Sequence, residues 1–122
     1  MADNEWKKSF LDRLLKFSVS VVNLSNQLPK TPAGFAIASQ FIRSGTSIGA
    51  NVEEAQDASS AKDFVQKLSI ALREARETNY WLRIMQMTGM TSKEEISREI
   101  LECGEIVAIL TSSVKSSKKK IL

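Results

Sequence analysis

Apolar positions recur at steps of three and four residues along four stretches of the chain, the period of helices that bury one face each. The first stripe is Phe10, Leu14, Phe17, Val21, Leu24 and Leu28, and the second is Phe41, Ile48, Val52 and Ala55 with Gly45 on the same side. The third runs Phe64, Leu68, Ala71, Ala75, Thr78 and Leu82, and the fourth Ile96, Ile100, Cys103, Val107, Leu110 and Val114. No stretch alternates with a period of two, so no strand is predicted, and no internal repeat is present.

The residues between the stripes carry helix stop and start signals. Both prolines lie in the segment LPKTP, Leu28 to Pro32, where Thr31 suits an N-cap before proline at the first helical position. Ser59 or Ser60 can cap the third helix, and Asp63 complements its positive end. Gly89 suits the close of that helix, after which Thr91 with Glu94, or Ser92 with Glu95, forms a capping box for the fourth. Connections this short force consecutive helices to run antiparallel. The predicted fold is therefore all-α, an antiparallel up-down-up-down four-helix bundle over residues 1–114, followed by a basic tail, 115–122, expected to be flexible.

Within the second helix the stretch RSGTSIGANVEEAQD, Arg43 to Asp57, breaks the apolar pattern with two glycines and a polar flank. Gly45 and Gly49 fall on one side of the stripe. Glycine inside a helix costs roughly 1 kcal/mol relative to alanine, so two of them at that spacing predict close approach of a neighbouring backbone. The other flank carries Ser44, Ser47, Asn51 and Glu54, within reach of Arg43 or of a basic group on the third helix such as Lys67 or Arg73. Arg43, Ser47, Asn51, Glu54, Glu74 and Glu77 are read as one polar cluster that sets helix register or a subunit contact, because buried polar groups must be satisfied to be tolerated.

The run FIRSGTSIGANVEEAQDASSAKDFVQKLSIALREARETNYWLRIM, Phe41 to Met85, resembles the four-helix bundle proteins related to those encoded by intervening sequences in bacterial large-subunit ribosomal RNA genes. Arg43, Ser47, Ile48, Asn51 and Glu54, followed by Lys62, Asp63, Phe64, Ile70, Ala71 and Glu77, carry the likeness, with the turns at Leu28 to Lys30 and Gly89 to Glu95. Ala55 departs from it, since many relatives place glycine there to end the helix sharply. The resemblance implies a left-handed bundle assembled as a ring-shaped homopentamer, without established enzymatic activity. It also implies a link to nucleic acid, because a related group serves as accessory protein to the reverse transcriptase of diversity-generating retroelements.

Composition changes this picture little. The 122 residues suit one domain, and 43% hydrophobic with 25% charged residues is ordinary for a soluble protein. The lone cysteine, the lack of a signal-peptide pattern and the lack of a long apolar run lead us to expect a cytoplasmic protein with no membrane segment. The net charge of +3 is concentrated in Lys115, Lys118, Lys119 and Lys120; without them 13 basic groups face 14 acidic ones. A basic tail of this kind is a weak electrostatic contact.

With no histidine in the chain, a Ser-His-acid triad, a Cys-His pair and a Glu-x-x-His metal site are excluded. The pairs Glu53/Glu54 and Glu94/Glu95 diverge on a helix and do not converge on an ion. No catalytic residue, metal or cofactor is expected, and Cys103 reads as a core side chain. Met85, Met87 and Met90 read as gap fillers around the last turn. Two surfaces remain. Leu11, Leu15, Val22, Ile70 and Trp81 are apolar off the core stripes, as an interface between copies of the chain requires. Arg73, Arg76, Tyr80 and Arg83 share the outer side of the third helix, a combination that can hold phosphates and stack a base. With Lys118, Lys119 and Lys120 they form the candidate contact for RNA or DNA; the bland alternative is a solvated face with pairs such as Arg73 to Glu77, on a scaffold that binds only protein.

Overall fold

A computed structural model describes residues 2–121. These form four helices, α1 (Ala2–Asn26), α2 (Pro32–Ala55), α3 (Ala61–Thr88) and α4 (Lys93–Lys120), joined by connections of four or five residues, with no strand among the described residues. The pairings establish the directions. Gly45 of α2 faces Val21 of α1 whereas Gly49 faces Leu14, so numbers rise on one helix as they fall on the other. Likewise Ser44 meets Thr78 while Glu54 meets Lys67 across α2 and α3. Arg13 reaches Glu102 across α1 and α4, and Phe10 lines the same cavity as Leu110. The bundle is antiparallel in up-down-up-down order.

The caps explain where α2, α3 and α4 begin. Thr31 Oγ1 accepts from the Gly34 N–H at 3.1 Å, Ser60 Oγ from Asp63 at 3.0 Å, and Ser92 Oγ from Glu95 at 3.2 Å. Gly34 admits no side chain, because a Cβ there would sit 1.9 Å from the Pro29 carbonyl oxygen. Gly89 closes α3 at φ 68°, a left-handed conformation that glycine adopts without strain. α2 ends at Ala55 without glycine: Gln56 stays right-handed, its N–H donates to the Glu53 carbonyl, and the Asp57 N–H donates to the Glu54 carbonyl. The departure at Ala55 thus leaves the helix end in place.

The core follows a seven-residue repeat. Every predicted position of the first stripe is buried, Phe10, Leu14, Phe17, Val21 and Leu24 in α1 and Leu28 just beyond its end, and in α2 Phe41, Gly45, Ile48, Val52 and Ala55 are. In α3 the series is Leu68, Ala71, Ala75, Thr78, Leu82 and Met85, preceded by Val65, while Phe64 is only half-buried. In α4 Ile106 takes an interior place, and Ile100 and Val107 lie half-buried beside it. A seven-residue repeat falls about 20° short of two ideal turns, so helices that keep it against a common core coil left-handed and an ideal wheel misplaces their ends. Of the three methionines read as gap fillers only Met85 is interior; Met87 is 88% exposed.

The segment expected as a tail is also different. α4 does not stop at Val114 but continues as helix to Lys120, with Ser117 half-buried beside the start of α1. Lys118, Lys119 and Lys120 occupy its last turn, where positive charge complements the negative helix end.

Candidate functional site

The predicted polar cluster divides into three. Arg43 lies at its centre: its guanidinium donates to Gln40 Oε1, to Glu74 Oε2 at 3.0 Å and to Glu77 Oε2. Glu77 also accepts from the Trp81 indole N–H at 3.0 Å, so one carboxylate ties α2 to a half-buried aromatic on α3. Ser47 and Asn51 do not join this group. Asn51 Nδ2 donates to the Ser47 carbonyl at 2.8 Å and to its hydroxyl at 3.2 Å, a local bond within one helix. Glu54 lies 3.8 Å from Lys67 Nζ, farther along the same seam. The reason is reach: α2 and α3 run antiparallel, so Arg43 and Glu54 are aligned with opposite ends of the α3 segment.

Beneath Arg43 the seam closes with small groups. The hydroxyls of Ser44 and Thr78 are hydrogen-bonded at 2.9 Å, both residues fully buried, and Thr78 also donates to the Glu74 carbonyl at 2.7 Å. Cys103 packs against α3 with Sγ 3.3 Å from the Ala75 carbonyl, and burial pushes its thiol up to about 12. It is a core group, inert as a nucleophile. Among the described residues no group of three or more His, Cys, Asp or Glu side chains is placed to hold a metal ion.

The arginine face is a separate surface. Arg73, Arg76, Tyr80 and Arg83 are all exposed on α3, with the Arg83 guanidinium 5.8 Å from the centre of the Tyr80 ring and Tyr80 edge-on to Trp81 at 5.3 Å. Among the described residues none of the three arginines forms an ion pair: Glu77, the partner offered by the solvated-face alternative, is held by Arg43, and Glu54 faces Lys67. The lysine end of α4 does not extend this face. It sits at the end of the bundle where α3 begins, and Arg73 lies twelve residues into α3, roughly 18 Å along its axis.

The apolar interface residues also fall on two faces. Leu11 and Leu15 border a shallow groove of about 280 Å³ on the α1/α2 seam, beside the exposed Val19 and Val22. Ile70 and Trp81 are half-buried on α3, Trp81 on the α2/α3 seam. Three features escaped the sequence pattern. Phe35 is 59% exposed on α2 and Leu101 67% exposed on α4. Arg13 crosses from α1 to bind Glu102 through two bonds of 2.7 Å and Glu105 through a third. Those bonds raise the Arg13 pKa and hold the Glu102 carboxyl below its ordinary range. Nearby, Glu99 Oε2 is buried without a partner, and desolvation, aided by Glu102, lifts its pKa. A basic residue on the flank of α1 facing acidic residues on the flank of α4 was the available signal.

Antiparallel helices with a polar α2/α3 seam and an arginine face unpaired among the described residues define an all-α helical bundle. The sequence model for the 23S rRNA-intervening sequence protein family matches residues 6–112, and the chain belongs to that family. Its structure is similar to the crystal structure of a protein of unknown function from the S23 ribosomal protein family of Bacteroides thetaiotaomicron VPI-5482. That likeness has a TM-score of 0.80 and 42% identity, covering 86% of this chain and 97% of that one. No curated protein matches the chain. No helix among the described residues is long and apolar enough to cross a membrane.

Proposed function

We propose that this chain is a non-enzymatic cytoplasmic adaptor that assembles with copies of itself and holds structured or single-stranded RNA or DNA on the arginine face of α3. The observation that carries this reading is the state of Arg73, Arg76 and Arg83. They are exposed and free of ion pairs among the described residues, and they flank the exposed Tyr80, whose ring already carries the Arg83 guanidinium on one side. Lys118, Lys119 and Lys120 add a second, separate contact at the bundle end. One subunit offers few phosphate contacts. Repetition of the face in an assembly, with five copies favoured by the family resemblance, raises affinity by a factor of about 10² or more where geometry permits simultaneous engagement.

Self-association is supported by the two apolar faces. A ring needs two different complementary patches on each copy, and Leu15 with Val19 and Val22 on α1, against Ile70 and Trp81 on α3, offer such a pair. Leu15 is 63% exposed, so Leu15→Lys dissociates the assembly without unfolding the subunit. The test is a mobility-shift titration of the intact protein, the Arg73→Glu/Arg76→Glu pair, a truncation after Val114, and Leu15→Lys, at two salt concentrations. Affinity is expected to fall with salt as counterions are displaced, and to fall further in the arginine pair and in Leu15→Lys. No retardation of RNA or DNA by the intact protein at low salt discards the reading. The second reading, a scaffold that binds only protein, rests on the same apolar faces and takes its place in that event.

A further inference from the structure

At the end of the bundle where α1 begins and α4 finishes lies a groove of about 490 Å³. That volume lies in the range of small-molecule sites. Its floor is carbon: Phe10, Val52, Leu68 and Leu110, all buried. One wall is Trp6, stacked on Phe10 with ring centres 5.4 Å apart yet 55% exposed, an indole at the lip with one face uncovered. The opposite wall is a series of α4 hydroxyls, Ser112, Ser113, Ser116 and Ser117. Exposed Lys7 and Lys120, with Leu11, Phe64 and Gln56, complete the lining, and no Asp or Glu contributes to it among the described residues.

The distribution of these groups is directional. Leu110, fully buried, and Lys120, exposed, stand ten residues apart on one helix, about 15 Å along its axis. A ligand lying along α4 therefore meets carbon at its inner end and hydroxyls and ammonium groups at its outer end. A compact polar metabolite would leave the floor unfilled, and a cation would face Lys7 and Lys120 without a counter-charge. We propose that this groove binds a free medium-chain fatty carboxylate, its chain on the floor between Trp6 and Leu68 and its carboxylate between Lys7, Lys120 and the serine hydroxyls. The site lies away from the arginine face and does not rest on the nucleic-acid reading.

The chain has two tryptophans, so Trp81→Phe leaves Trp6 as the sole indole reporter. In that background, titration with decanoate below its micellar concentration is expected to change Trp6 emission saturably. Decanol and decylammonium should bind at least tenfold more weakly, and Lys7→Glu/Lys120→Glu, both on exposed positions that leave the fold intact, should weaken decanoate at least tenfold. Vesicles containing phosphatidylglycerol should leave the emission unchanged. The proposal is overturned by a linear, unsaturable response to decanoate, by decanol binding as tightly as decanoate, by full affinity in the lysine double variant, or by a response to vesicles in place of the free acid.

Discussion

Gly45 and Gly49 lie one helical turn apart on the same flank of α2, yet alanine is expected to have opposite effects at the two positions. A Cβ at residue 45 would sit 2.7 Å and 2.8 Å from the two γ-methyl carbons of Val21 and 3.2 Å from its Cβ. Val21 is fully buried and β-branched, so its rotamer is stiff and it has no room to withdraw. Overpacking of this kind costs about 1–3 kcal/mol, against a helix-propensity gain of roughly 1 kcal/mol for replacing glycine. Gly45→Ala should therefore lose about 1 kcal/mol, a fall of roughly 4 °C in Tm for a domain of this size. At residue 49 the nearest atoms are Leu14 Cβ at 3.4 Å and the Leu14 carbonyl oxygen at 3.6 Å, ordinary contact distances. Gly49→Ala should keep the propensity gain and stabilise by up to about 1 kcal/mol. Urea denaturation at one fixed protein concentration measures both, because self-association adds a concentration-dependent contribution. In a Val21→Ala background the two γ-methyl contacts are removed and only the Cβ contact at 3.2 Å remains, so Gly45→Ala should then become stabilising. The reasoning fails if Gly45→Ala stabilises the wild-type background, or if its sign does not change when Val21 is truncated.

Leu68 is 4% exposed, so Leu68→Asp buries an unpaired carboxylate at a cost of several kcal/mol, comparable with the whole stability of a small domain; its cooperative melting by circular dichroism should disappear. Arg13→Met removes the α1/α4 ion pairs, whose groups are about a third exposed or more, and should cost about 1 kcal/mol in urea denaturation, less as salt is added. Glu99 has a pKa raised above its unfolded value, so its charged form opposes folding above the folded pKa and that penalty vanishes below the unfolded one. Glu99→Gln should stabilise the protein at neutral pH, and thermal melts should show the advantage fading as pH falls through the ordinary carboxylate range.

Much of the fold was legible because its signals are local. Thr31, Ser60, Ser92 and Gly89 each act through a hydrogen bond or a backbone angle within a few residues, so their roles can be read from neighbours in the chain. The seven-residue spacing of Phe10 to Leu28 and of Phe41 to Ala55 likewise marks a buried seam without reference to its partner. The site was less legible. Arg43, Glu74 and Glu77 lie together, and Glu54 takes Lys67, the alternative partner the sequence offered it, whereas Ser47 and Asn51 were joined to Arg43 by wheel position alone, which ignores the axial distance between side chains.

The sequence by itself determined four helices, their order and the caps that start α2, α3 and α4, because periodicity and capping are properties of short stretches. Only the tertiary structure decided which charges are neutralised. Glu77 could serve Arg73 four residues away or Arg43 on another helix, and side-by-side packing of α2 and α3 delivers it to Arg43, leaving Arg73 free among the described residues. It alone decided that Gly45 abuts a side chain while Gly49 has room for a methyl group, that a groove with a carbon floor opens at one end of the bundle, and that the apolar residues outside the core form two faces. Each of these depends on distances between helices, which are set by the volumes of side chains meeting from both sides and are written in no single segment of the chain.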